Sequence, residues 1–276
     1  MITQAEKAAQ FAALHKEGCF PLPNPWDTGS ARILAGLGFK ALATTSAGFA
    51  RSSGVDDYHV TRDMVMRHAT ELCSATNLPI TADLENGFGH MPEDCAETIR
   101  QAAQAGLVGG SIEDFTGDAG QQYEIHAAAD RIRAAVETAN ALPFPFMVTA
   151  RAENFFTGRP DLSDAIRRLQ AYQEAGAHCL YAPSLRTLDD IRTVVSSVDR
   201  PVNVLLGPSS GPVPLSTLAE IGVRRVSVGA VFSSLAYGAL IAAGEELLNN
   251  GTLGFIQRLP GRKLMRLIEA GTPAAD

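Results

Sequence analysis

Four times along the chain an amphipathic stretch ends at a glycine and gives way at once to an apolar run: LAGLGFKALATTSAG, AAQAGLVGGSIED, YQEAGAHCLYAPS and LAEIGVRRVSVGA. Each glycine (Gly38, Gly106, Gly176, Gly222) stands where a helix C-terminus needs left-handed backbone, which a residue without a Cβ adopts freely. The phrase is a helix turning into a strand. The first three copies lie 68 and 70 residues apart, twice the roughly 35 residues that suit one strand-plus-helix unit, so each interval holds two units. The last interval, 46 residues, fits two compact ones.

The runs Leu78 to Ala82, Pro145 to Ala150 and Pro201 to Leu205, each introduced by a proline, supply the intervening strands, and Cys19 to Pro23 the opening one. Between them apolar residues recur at helical spacing: Val65, Ala69, Leu72 and Cys73; Ala96, Ile99, Ala102 and Ala103 after Pro92; Leu162, Ile166 and Leu169; Leu188, Ile191, Val194 and Val195. Eight strands alternating with helices in 276 residues close most economically into an α/β fold of the (β/α)8 TIM-barrel type, with a doubly wound sheet as the alternative. No linker divides the chain, so 1–276 reads as one domain. Residues 252–270 form a C-terminal helical extension that either caps the barrel or is donated to a partner subunit.

The balance of 30 Asp and Glu against 23 Lys and Arg leaves a net charge of −7, which argues against a nucleic-acid partner. Cys19, Cys73, Cys95 and Cys179 form no C-x-x-C pair, so neither a zinc site nor a disulfide framework is expected. The N-terminal stretch mixes Glu, Lys and Gln and lacks the apolar core of a secretory leader, so a cytoplasmic location is expected. Val226 to Gly244 carries no charge, yet its serines and glycines suit a buried strand running into a buried helix better than a membrane span.

In a barrel, catalytic groups gather at the C-terminal ends of the strands. Here strand two ends in Thr44-Thr45-Ser46-Ala47-Gly48, strand three in Asp83-Leu84-Glu85-Asn86-Gly87, strand four in Glu113-Asp114 and strand five in Arg151-Ala152-Glu153-Asn154. Asp83, Glu85 and Glu113 thus surround one mouth with Arg151 beside them. Clustered carboxylates without His or Cys suit a hard cation, and Mg2+ needs only one or two protein oxygens when water and substrate complete its shell. Arg151 offers a planar fork for a substrate carboxylate, and Ser46, Ala47 and Gly48 are small enough for backbone N–H groups to approach the same anion. A carboxylate at a strand end also serves as a helix cap, so it is the combination on successive strands that points to a site for a small 2-oxo acid bound with Mg2+.

At these residues the sequence resembles the isocitrate lyase / phosphoenolpyruvate mutase superfamily. NPWDTGSARILAGLGFKALATTSAG is similar to that family's opening strand, helix and second-strand loop; TADLENGFG to its D-x-D-x-G-x-G metal motif, with Glu85 in place of the second Asp; SIED carries its Glu at Glu113; and VTAR its carboxylate-binding Arg at Arg151. Asp57, closing GVDD, matches the acidic residue that holds metal-bound water, and Trp26 falls where the family places an aromatic near the substrate. The resemblance implies Mg2+, with Mn2+ as the substitute, on Asp83, Glu85, Glu113 and Asp57; substrate contacts from Trp26, Thr45, Ser46, Ala47, Gly48 and Arg151; and catalysis through Arg151, Glu113 and Asp57. It also implies a helix exchanged between subunits of a homodimer or homotetramer.

The resemblance has gaps. The loop after the fourth strand, which holds a catalytic Cys in isocitrate and methylisocitrate lyases, reads FTGDAGQQYE here, without Cys or Lys. What is retained is the half of the site that binds a pyruvyl-like group, which implies a Mg2+-dependent lyase or decarboxylase acting on a small 2-oxo or 2-hydroxy dicarboxylic acid through a metal-stabilised enolate. Oxaloacetate, 2-oxoglutarate or pyruvate are the partners of that size, with no nucleic acid and no membrane. The alternatives are C–P chemistry on phosphoenolpyruvate or phosphonopyruvate, and a 2-oxo acid binding protein without catalysis. Tyr58, His59 and Glu153 are the candidate acid or base groups, though a lone His or Tyr in a loop is more often a surface or packing residue.

Overall fold

The computed structural model describes residues 2–118, 120–208 and 210–274. The chain begins with α1 (Gln4–Leu14) and β1 (Phe20–Leu22), followed by α2 (Thr28–Gly36), β2 (Leu42–Ala43), α3 (Ser46–Ser52), α4 (Arg62–Ala75) and β3 (Ile80–Asp83). Alternation then becomes strict: α5 (Pro92–Gln104), β4 (Gly109–Glu113), α6 (Ile125–Asn140), β5 (Met147–Arg151), α7 (Leu162–Glu174), β6 (Cys179–Tyr181), α8 (Leu188–Ser196), β7 (Val202–Leu205), α9 (Leu215–Ile221) and β8 (Arg225–Ser227). After β8 come α10 (Val231–Asn250), a 3-10 turn (Gly254–Arg258) and α11 (Arg262–Gly271).

All eight strands run parallel, in the order β1-β8-β7-β6-β5-β4-β3-β2. The seam between β1 and β2 is drawn together by a backbone bond in which the Ala43 N–H donates to the Pro23 carbonyl at 3.0 Å. Asn24 ties the same seam from above: its Nδ2 donates to Thr44 O at 2.9 Å, and its Oδ1 accepts from the Val228 and Gly229 N–H groups at 3.0 and 2.9 Å. The sheet is thus the expected (β/α)8 barrel. The four repeated glycines hold φ of 95° to 100°, so the helix-to-strand phrase is built as its spelling requires.

The main core lies between sheet and helices, where Leu72, Ile80, Ile99, Ile112, Leu169 and Leu180 are fully buried. A smaller cluster of Ala8, Phe11, Phe20, Val108 and Met147 joins α1 to the lower ends of the strands. Polar ties hold α1 there: Gln4 Nε2 donates to the Ala103 and Leu107 carbonyls, and Lys7 Nζ to those of Cys73 and Thr76, at the C-terminal ends of α4 and α5. Lys7 thereby places a cation at the C-terminal end of α4, where the last carbonyls lack intrahelical N–H partners.

Two features of the C-terminal part differ from a plain barrel. The expectation that Val226 to Gly244 runs into a buried helix holds for β8 but not for α10, where only Ser233 is buried and Leu240 and Leu248 are 67% and 85% exposed. Phe232 and Ser233 in its first turn meet the core, but among the described residues little covers the apolar remainder of the helix, an exposure that its composition does not lead one to expect. It is also long and apolar enough to cross a membrane by length and composition. By contrast α11 docks on α2 of its own chain so closely that a Cβ on Gly36 would stand 2.1 Å from the Leu267 carbonyl oxygen.

Candidate active site

The upper ends of the strands enclose a cavity of about 320 Å³, large enough for a small metabolite. Its lining is mixed, with Asp57, Tyr58, Asp83 and Arg151 contributing charge and polarity and Phe156, Pro183, Leu205 and Ala230 contributing apolar surface.

Arg151, the last residue of β5, organises the charged groups. Its Nη1 lies 2.8 Å from Asp83 Oδ1, its Nη2 3.1 Å from Glu113 Oε2 and its Nε 2.7 Å from Glu153 Oε1. Strand register sets this up, because β4 and β5 pair Glu113 with Arg151 and the pleat turns both inward. The guanidinium also lies 5.2 Å from the centroid of the Tyr181 ring. Asp83 is held from the other side: its N–H donates to Thr44 Oγ1 at 2.9 Å, and its Oδ2 accepts from the Ser46 N–H at 3.4 Å.

The remaining carboxylates are crowded and incompletely paired. Asp57 Oδ1, Glu85 Oε1, Glu113 Oε1 and Glu153 Oε2 are buried without a hydrogen-bond partner. Burial, with Asp83 and Asp57 adding repulsion, pushes Glu85 up to about 8. Burial likewise raises Glu153 to about 7 against the pull of Arg151, and it raises Glu113 and Asp57 as well. Burial also keeps the Tyr58 hydroxyl protonated, with Glu113 beside it adding to the effect. The backbone is strained at the same place: Tyr58 and Glu85 have φ of 63° and 47°, a conformation that non-glycine residues hold only where surrounding structure imposes it.

Among the described residues no three His, Cys, Asp or Glu side chains form a ready ligand set; Asp83 and Glu113 each turn an oxygen to Arg151 instead. The donor chemistry nevertheless fits a hard cation. Every nearby donor is an oxygen, four of those oxygens are orphaned, and a cation that keeps most of its water needs only one or two of them.

The sequence-predicted residues divide in two. Thr45, Ser46, Ala47, Asp57, Asp83 and Arg151 line the cavity, with Glu113 and Glu85 directly behind. Gly48 and Trp26 stand outside the lining. The Gly48 N–H is bonded to Thr45 Oγ1 as the cap of α3, and a Cβ there would meet Trp26 Cβ at 3.3 Å. Of the acid–base candidates, Tyr58 faces the cavity, Glu153 is fully buried against Arg151 and His59 is exposed.

Sequence reasoning missed a second layer. Asp114, next to Glu113 but on the opposite side of the strand, accepts from Tyr172 Oη, Arg168 Nη1 and the Glu153 N–H at 2.6, 3.0 and 2.9 Å. The alternation of side chains along β4 is the signal that separates the two acids. Phe115, opening the loop that lacks the catalytic Cys, packs edge-on against Tyr58 with ring centroids 4.9 Å apart.

A parallel barrel whose strand ends gather carboxylates around Arg151 has the layout of a TIM-barrel enzyme, with its polar groups at the C-terminal mouth. Within that class the chain belongs to the phosphoenolpyruvate phosphomutase family, whose model matches residues 11–248, and it is thereby an enzyme of the isocitrate lyase and phosphoenolpyruvate mutase superfamily. A crystal structure of a candidate lyase/mutase from Burkholderia cenocepacia J2315 is 52% identical, covers 95% of each chain and superposes with a TM-score of 0.92. The 2-methylisocitrate lyase of Escherichia coli K12 is 30% identical over 86% of this chain and 81% of its own. The oxaloacetate decarboxylase of Chromohalobacter salexigens is 29% identical over 86% of this chain and 82% of its own.

Proposed function

We propose that this enzyme is a lyase or decarboxylase that acts on a small 2-oxo or 2-hydroxy dicarboxylic acid and depends on Mg2+, with Mn2+ as the substitute. The observation that carries the reading is the group of orphaned carboxylate oxygens around Arg151 at one mouth. The similarity to a 2-methylisocitrate lyase and an oxaloacetate decarboxylase supports the same class. Asp83, Glu85, Glu113 and Asp57 would hold the cation. When bound, it supplies positive charge where negative charge develops on the substrate oxygen next to the breaking C–C bond.

The chain's own groups do the rest. Arg151 presents its guanidinium to the substrate carboxylate, and Ser46 and Ala47 line the same cavity. Tyr58, protonated and facing the cavity, is placed to donate a hydrogen bond to a substrate oxygen. Phe115 packs edge-on against the Tyr58 ring and helps hold it there. The active form is a homodimer or homotetramer in which a second copy covers α10, the long apolar helix with a single buried residue.

The test is pyruvate release from oxaloacetate and 2-methylisocitrate, with phosphonopyruvate alongside, in EDTA and after Mg2+ is added back. Turnover of either dicarboxylate that EDTA abolishes and Mg2+ restores is the expected result. Turnover of phosphonopyruvate alone would move the chemistry to C–P cleavage, and no cation-dependent turnover of any of them overturns the reading.

A further inference from the structure

One strong charge in the barrel has no part in the site described so far. Arg225, the first residue of β8, is 4% exposed and points into the barrel. Its Nε donates to Asn203 Oδ1 at 2.8 Å and its Nη2 to Thr149 Oγ1 at 3.0 Å, while its Nη1 lies 3.4 Å from His15 Nε2. All three partners are neutral. Burial, with Arg225 itself adding repulsion, pushes His15 down to about 3, so the imidazole accepts without supplying charge.

Other buried arginines show how differently this one is placed. Arg151 and Arg168 are paired with carboxylates. Arg131 donates to the backbone carbonyls of Asn86 and Met91 and lines none of the cavities described. Among the described residues Arg225 has no carboxylate within ion-pair distance, yet it lines the active-site cavity together with Thr81, Ser111, Thr149 and Asn203. Strand register places this group one layer beneath the charged groups. Thr81, Ser111 and Thr149 each precede Asp83, Glu113 and Arg151 by two residues on the same strands, a drop of about 6.6 Å at about 3.3 Å per residue. The cavity therefore ends on an uncompensated cation surrounded by hydroxyls and an amide. A guanidinium out of water without a counter-ion is costly, and an anion brought to it regains that cost.

We propose that this floor is a second anion site, in which Arg225, flanked by Thr149 and Asn203, receives a carboxylate. Two sources carry that chemistry: the second carboxylate of a dicarboxylate already held at the mouth, or a separate small carboxylate.

The experiment uses crystals of the full chain soaked in sodium bromide, alone, with oxalate and with malate, and reads bromide by anomalous scattering without turnover. Its failure is therefore separate from failure of the proposed reaction. The expected result is a bromide peak at the Arg225 guanidinium, with the half-saturating bromide concentration raised about tenfold or more in Arg225→Gln and largely restored in Arg225→Lys. Displacement by malate but not by oxalate assigns the site to the substrate's own second carboxylate; bromide that persists beside malate assigns it to a separate anion. Ordered water alone at the floor of the wild-type cavity, with bromide bound elsewhere, overturns the proposal. So does equal bromide affinity in Arg225→Gln. If that variant does not fold, the wild-type and Arg225→Lys crystals decide.

Discussion

The Tyr172 hydroxyl donates to Asp114 Oδ2 across 2.6 Å, fully buried, and Asp114 in turn accepts from the backbone N–H of Glu153. Through this pair α7 fixes the turn that follows Arg151. Tyr172→Phe removes one bond to a buried charge and nothing else, so urea denaturation should show a loss of about 1–3 kcal/mol. Catalysis should fall through kcat more than through KM, because Asp114 positions Glu153 and Arg151 without reaching the cavity. Unchanged stability would mean that Asp114 is satisfied without the tyrosine.

Arg151→Met should be the most damaging single change at the mouth. It leaves Asp83, Glu113 and Glu153 without the guanidinium that each contacts within 3.1 Å, and removing one partner of a buried ion pair typically costs about 3–5 kcal/mol. A thermal melt in EDTA checks this. Arg151→Lys should recover part of the stability, since an ammonium keeps the charge but cannot bond three carboxylates in one plane.

The pH dependence follows from carboxylates that burial holds in the protonated form. Glu85 rises from an ordinary 4.5 to about 8, so its contribution to stability is complete below the unfolded value and is lost as pH climbs through the folded one. Melting temperature in EDTA should therefore fall between about pH 5 and about pH 9. With Mg2+ present the slope should flatten, because a cation favours the ionised form and binding releases protons. A melting temperature that rises with pH in EDTA would contradict the assignment.

Leu240→Glu and Leu248→Glu place charge on the exposed side of α10. If a second copy covers that helix, sedimentation should shift from dimer or tetramer toward monomer. A wild-type protein that sediments as a monomer at assay concentration would leave the helix to some other cover.

Gly36→Ala should cost about 1–3 kcal/mol by overpacking, because its Cβ would stand 2.1 Å from the Leu267 carbonyl oxygen. Gly29, on the same helix, where a Cβ would meet only Asp27 Oδ1 at 3.5 Å, is the matched control. Denaturation of both variants at equal concentration separates the two environments.

Much of this fold is written locally. The glycines at Gly38, Gly106, Gly176 and Gly222 mark helix ends by their own backbone preference, and proline and apolar runs mark the strands, so the alternation and the barrel are legible without tertiary information. Asp83, Glu113 and Arg151 were legible for the same reason, since a strand end in a barrel faces the mouth. The rest depends on which way a side chain turns. Glu113 and Asp114 are neighbours with opposite destinations, and so are Arg224 and Arg225: one bonds the Gly18 carbonyl at the surface, the other enters the barrel. Gly48 is small because Trp26 and Thr45 crowd it, a reason that appears only once β1, β2 and α3 meet. The exposure of α10 contradicts its composition, because an apolar helix signals burial without saying by which chain.

The seal that α1 makes beneath the strands has a consequence for traffic. With Phe11 and Ala8 packed under β1, β4 and β5, the described residues close the barrel from below, while Tyr58 and Phe156 line the cavity above. A reaction that splits its substrate in two must then empty this cavity from the top.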